Sequence, residues 1–167
     1  EFRPLFARMA ALNLPIWLHP ARLPGFPDYQ TEKRSRYDLW WVFGWPYETT
    51  IAMARLVFAG IFDLHPNLMI ITHHLGAFIP SLSRRILSVS RRMEKSPQWK
   101  LPQPALSYFK RFYGDTAVHG HKATLNDGYD FFGPDRIVFG TDYPFAPLDE
   151  VMPPVMEWEI PSREKQK

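Results

Sequence analysis

Four short, largely apolar runs recur along this chain, each preceded by a segment of helical spacing and each carrying a polar residue at or near its end. Ile16-Trp17-Leu18 leads into His19, and Leu68 to Thr72 leads into His73-His74. Tyr113 to Val118 contains Asp115, and Arg136 to Thr141 leads into Asp142. Short runs without polar alternation read as strands covered on both faces, and helices between successive strands return the chain so that neighbours lie parallel. The pattern predicts an α/β fold of about four βα units.

The intervening helices are legible from apolar spacing. Leu5, Phe6, Met9 and Leu12 predict a helix over Phe2 to Leu14, stopped by Pro15; Ile51, Ala54, Val57, Phe58, Ile61 and Phe62 predict another over Tyr47 to Leu64. A basic helix follows from Ser81 to Lys95, then helices over Ala105 to Phe112 and His121 to Phe132, and a further one after Leu148. Ala21 to Pro46 is rich in Pro, Gly and aromatics and is too long for a passive connection, so an active-site loop is expected there.

Composition removes several alternatives. With 46% hydrophobic residues in 167, the chain has the material for one core. The net charge is +3, and the densest basic pairs, Arg84-Arg85, Arg91-Arg92 and Lys110-Arg111, fall in helical segments without interleaved aromatics. They read as solvated helix faces, and no nucleic acid partner is expected. Cysteine is absent, so any metal would be held by His and carboxylate. No apolar stretch is long enough to span a bilayer and no signal-peptide pattern opens the chain. A cytoplasmic protein with no membrane partner is the expectation.

An open doubly wound sheet and part of a barrel give the same alternation of elements. His19, His73-His74 and Asp142 follow strand ends, which in a (β/α)8 TIM barrel is the face where catalytic groups collect. No glycine-rich phosphate loop follows a strand, as a nucleotide-binding sheet would need. An incomplete TIM barrel is therefore expected. Each residue alone has a plainer reading: His19 before Pro20 as a surface residue, one of two adjacent imidazoles turned away from the interior, and Asp142 as the start of a turn. Together, imidazoles and a carboxylate on separate strands are the donors of an open catalytic metal site, where a cation activates water or polarises a substrate oxygen and a nearby imidazole moves the proton.

Four strings carry a family likeness: Leu18-His19-Pro20; Ile70-Ile71-Thr72-His73-His74-Leu75-Gly76-Ala77-Phe78-Ile79-Pro80; Tyr113-Gly114-Asp115-Thr116; and Asp135 through Phe145, with Gly140-Thr141-Asp142-Tyr143-Pro144 at its centre. In this order the chain resembles the amidohydrolase-related metal-dependent TIM-barrel family that includes aminocarboxymuconate-semialdehyde and γ-resorcylate decarboxylases. The resemblance implies a divalent metal held by a His-x-His pair on the first strand, a His on the fifth and an Asp on the eighth, with a His on the sixth in catalysis. By motif the metal ligands are His19 and Asp142 and the catalytic residues His74 and Asp142, while the His-x-His pair has no counterpart in this sequence.

His74 is preferred to His73 because the family His stands six residues before a Pro, here Pro80; His73 is then a neighbour packed beside the site. Ala77 departs from the Gly or Glu of many relatives. Arg85, in Arg84-Arg85-Ile86, resembles an Arg that reaches a substrate carboxylate across a dimer interface, with a solvated helix face as the other reading. What the resemblance implies is the C-terminal half of such a barrel, a zinc or manganese ion, a homodimer and a small-molecule carboxylic acid substrate. Trp40, Trp41, Phe43 and Trp45 suit a planar apolar substrate, so decarboxylation of an aromatic or enoic acid is expected first. Metal-dependent hydrolysis of an ester, lactone or amide is the alternative, and an inactive fragment with a binding or structural role is the third.

Overall fold

The computed structural model describes residues 2–97 and 99–165. Helix α1 (Arg3–Leu12) carries Pro4 in its first turn, where a missing N–H costs nothing, and ends at Asn13, whose left-handed φ of 52° turns the chain toward β1 (Ile16–Leu18). The expected loop is irregular only to Asp38. Helix α2 (Leu39–Val42) follows, and α3 (Gly44–Phe58) begins inside the segment read as loop, with Pro46 again in a first turn. The single helix expected to Leu64 is broken at Gly60, φ 68°, into α3 and α4 (Ile61–Leu64).

Strand β2 (Ile70–Thr72), α5 (Ser83–Met93), α6 (Ala105–Phe109), β3 (Tyr113–Asp115), α7 (Lys122–Phe132), β4 (Ile137–Val138), α8 (Leu148–Met156) and α9 (Ser162–Lys165) complete the order. The strands are shorter than the apolar runs suggested: β3 stops at Asp115, and Arg136 belongs to a tight turn while its guanidinium lies 4.9 Å above the Tyr113 ring.

All pairings are parallel, and the spatial order β1-β2-β3-β4 follows the chain order. Among the described residues there is no reversal of strand order, the feature that marks a doubly wound sheet, and the arrangement is that of consecutive barrel units. Register places Leu18, Thr72, Gly114 and Ile137 on one face, and Trp17, Ile71 and Tyr113 on the other.

The first face meets the helices. There Ile70 and Thr72 lose all exposure, and Ile70 joins a core with Met53, Val57, Phe62, Phe109, Phe112 and Leu125. Each fully buried large side chain contributes on the order of 1.5–3 kcal/mol. The other face departs from the expectation of strands covered on both sides, since Trp17 is 54% exposed and Ile71 only partly buried. No helix among the described residues is long and apolar enough to cross a membrane.

Candidate metal centre and active site

His19 leaves β1 with Nδ1 2.6 Å from the carbonyl oxygen of Pro20. A carbonyl can only accept, so Nδ1 carries the proton and Nε2 presents a lone pair. The residues just beyond are pinned by Glu48 of α3, whose carboxylate accepts from the backbone N–H groups of Ala21 and Arg22. The His19 ring lies 4.6 Å from that of His73 and 5.3 Å edge-on to Trp45.

On an extended strand His73 and His74 would point to opposite sides. They do not, because β2 ends at Thr72 and a tight turn, His73–Gly76, begins at once with His74 and Leu75 in the left-handed region, φ 53° and 52°. The two rings stand 4.0 Å apart and both reach Asp142, itself left-handed at φ 63°. Leu75, fully buried, fixes the turn by packing where Gly114 and Gly128 have no side chains. Thr50 of α3 holds its far end, its hydroxyl accepting from the Phe78 N–H at 3.1 Å.

His73, expected to pack beside the site, is tied into it by two hydrogen bonds. Its Nδ1 lies 2.6 Å from Oδ2 of Asp115 and its Nε2 3.0 Å from Oδ1 of Asp142. Asp115 is wholly buried and also accepts from the Trp17 indole and the Ala117 N–H, both at 3.2 Å. Burial alone would lower the His73 pKa, but hydrogen bonds to the two carboxylates, and their charge, raise it to about 9. For His74 burial prevails over the attraction of Asp142, with help from the charge of His73, and its pKa falls below the usual imidazole value. Burial works against ionised Asp142, yet His73 and His74 hold its carboxyl well below the usual carboxylate range.

Beyond Asp142 opens a cavity of 460 Å³ lined by His74, Trp41, Trp45, Phe78, Val118 and His119 among others. Trp41, one of the tryptophans expected to meet a planar substrate, is among its lining residues. Trp40 is not among the residues lining this cavity; its indole packs 5.6 Å from that of Trp45 and donates to Asp38. Arg85 is exposed on α5 and is not among the lining residues.

Two groups of donors converge, in each of which the ligand atoms lie within 4.8 Å of one another: His19, His73 and Asp142, and His74, His119 and Asp142. Oδ2 of Asp142 is buried with no hydrogen-bond partner, 3.6 Å from a nitrogen of His74 and 3.8 Å from one of His119. Nitrogen and carboxylate-oxygen donors of this kind fit a divalent cation, and the group of His19, His73 and Asp142 contains both residues that the family motif gives as ligands, while Oδ2 faces His74 and His119. Sequence reasoning missed His119 altogether, a residue of the loop after β3 with no strand-end signal; for Asp115 the signal was present, in Tyr113-Gly114-Asp115-Thr116.

The amidohydrolase family model matches residues 1–164. The chain belongs to the amidohydrolase family. Among curated family members it is 31% identical to the γ-resorcylate decarboxylase of Rhizobium radiobacter over 150 residues, 89% of this chain and 46% of that protein. It is 29% identical to the 2-amino-3-carboxymuconate-6-semialdehyde decarboxylase of Dictyostelium discoideum, over 90% of this chain and 40% of that one. This amidohydrolase chain thus spans about half the length of the curated relatives it matches.

Two solved structures extend the likeness to the fold. The 2,6-dihydroxybenzoate decarboxylase from Rhizobium superposes with a TM-score of 0.85 at 27% identity, covering 98% of this chain and 51% of that one. The dihydroxybenzoic acid decarboxylase from Polaromonas sp. JS666, solved with manganese and the inhibitor 2-nitroresorcinol, gives 0.83 at 29% identity, covering 99% and 50%. The α/β parallel sheet of this chain is that of its TIM-barrel relatives.

Proposed function

We propose that the protein is a metal-dependent, non-oxidative decarboxylase of an aromatic or enoic carboxylic acid. The observation that carries this reading is the position of Asp142, with one oxygen toward His73 and the His19 side and the other toward His74 and His119 below an aromatic-lined cavity. Support comes also from the relatives, whose names specify decarboxylation of aromatic or enoic acids.

In this reading His19 and Asp142 hold the ion, and His74 is the catalytic residue toward the substrate. A divalent cation there supplies positive charge to the substrate's oxygens. Nitrogen and oxygen donors suit manganese, the ion in the Polaromonas relative, as well as zinc. Trp41 and Trp45 offer edges and faces to a planar ring. The bond between ring carbon and carboxylate breaks, its electron pair stays with the ring carbon, that carbon takes a proton, and carbon dioxide leaves. His74, on the cavity wall and 3.6 Å from Asp142, delivers that proton as an imidazolium and takes one up again from solvent before the next turnover; its lowered pKa makes the imidazolium a stronger acid but a smaller fraction of the population. Arg85 is assigned to the substrate carboxylate of a second subunit in a homodimer.

The test is carbon dioxide release from 2,6-dihydroxybenzoate and a panel of other hydroxybenzoates by manganese- or zinc-loaded protein, beside turnover of esters and lactones. Turnover confined to the esters or lactones would replace this reading by the hydrolytic one.

A further inference from the structure

His73 belongs to none of the roles that the family motif distributes, yet it has the most determined surroundings of any imidazole in the site. Asp115 has both oxygens engaged and no exposure, so it can only accept; it therefore fixes the proton of His73 on Nδ1. That leaves Nε2 as the outward atom, 3.0 Å from Oδ1 of Asp142. The carbonyl of Pro20 fixes His19 the same way, with Nδ1 engaged and Nε2 outward. Two imidazoles with backbone or carboxylate acceptors behind them, and a ring nitrogen of each gathered with a carboxylate oxygen, are the arrangement of metal-ligating histidines with their outer partners.

We infer that His73 is a third metal donor, through Nε2, alongside His19 and Asp142, and that Asp115 is the positioning residue that orients it. A lone pair on Nε2 facing an ionised carboxylate oxygen at 3.0 Å is repulsive unless a proton or a cation lies between them, and the ion takes the place of that proton. The inference deepens the proposed function by naming the ligand set of the same ion. It also sorts the site into two sides: His19 and His73 toward the ion, His74 and His119 toward the cavity, with Asp142 between.

The test needs no substrate. The chain of 167 residues is stripped with chelator and titrated with Mn²⁺, followed by the paramagnetic resonance of the free ion, and with Zn²⁺ by calorimetry. One ion should bind, His73→Ala should weaken it at least about tenfold, Asp115→Asn by about ten- to a hundredfold, and His119→Ala should leave the affinity as it was. Nitrogen resonances of the imidazoles in the unmutated chain guard against variants that fail to fold: on adding Zn²⁺, Nε2 of His73 and of His19 should shift. Absence of binding, an unshifted His73 Nε2, or loss of the ion in His119→Ala but not in His73→Ala overturns the assignment. These readouts are separate from turnover. A chain that binds the ion through His73 but releases no carbon dioxide rejects the decarboxylase reading and leaves the ligand set standing.

Discussion

Leu75 lies in the space that a side chain on Gly128 would fill, its Cδ2 only 2.2 Å from the position of a Cβ there. Through this contact α7 sets the height of the turn that carries His73 and His74. Gly128→Ala forces Leu75 out of a core position it occupies with no exposure. Urea unfolding of the variant should show a loss of about 1–3 kcal/mol, the usual cost of overpacking. An unchanged midpoint would mean that the turn is not anchored by α7.

The same turn holds Ala77 at φ 53°, ψ −118°, a region that suits glycine and strains any residue with a Cβ. Ala77→Gly relieves strain of about 1–3 kcal/mol and adds back somewhat less than 1 kcal/mol of unfolded-chain entropy. The expected net effect is stabilisation by about 1 kcal/mol, read as a higher urea midpoint. A destabilised variant would show that the backbone at Ala77 is unstrained.

For His74, proposed to act on the substrate rather than on the metal, replacement by Asn should separate the two properties. Loss of a general acid or base lowers the rate by about a hundredfold or more. In turnover of 2,6-dihydroxybenzoate, His74→Asn is expected to lose kcat on that scale while metal content stays near that of the parent, whereas Asp142→Ala should lose both. An emptied metal site in His74→Asn would make His74 a ligand.

In chelator, His73 and Asp142 should shape the dependence of stability on pH. His73 has a folded pKa of about 9 against an ordinary 6.5, so its contribution is complete below 6.5 and disappears as pH rises through 9. Asp142 is shifted the other way from 3.8, so its contribution is present above 3.8 and is lost as the solution is acidified below it. Melting temperatures of the metal-free chain should therefore be highest between about pH 4 and 6.5 as far as this pair is concerned. His73→Gln should flatten the alkaline decline; a decline of equal depth in that variant would assign it to other groups.

Local chemistry made the alternation of strands and helices readable, because it is written in nearest-neighbour terms. Apolar runs at Ile16 to Leu18 and Leu68 to Thr72, the three- and four-residue spacing through Ile51 to Phe62, and stops such as Pro15 and Gly133 are each decided within a turn or two of chain. The same holds for the residues after strand ends, and so His19, His74 and Asp142 were legible as candidates before any contact was known.

Only the tertiary structure decided how those residues meet. Whether His73 and His74 diverge or converge depends on left-handed backbone at His74 and Leu75, and that conformation is sustained by Leu75 packing against Gly114 and Gly128, 39 and 53 positions further on. The role of His73 depends on Asp115 and Asp142, 42 and 69 residues away. The choice between Trp40 and Trp45 at the cavity depends on where α2 gives way to α3. A side chain's direction is set by which distant neighbour excludes or accepts it, and sequence spacing carries no information about that neighbour until the sheet has brought it near.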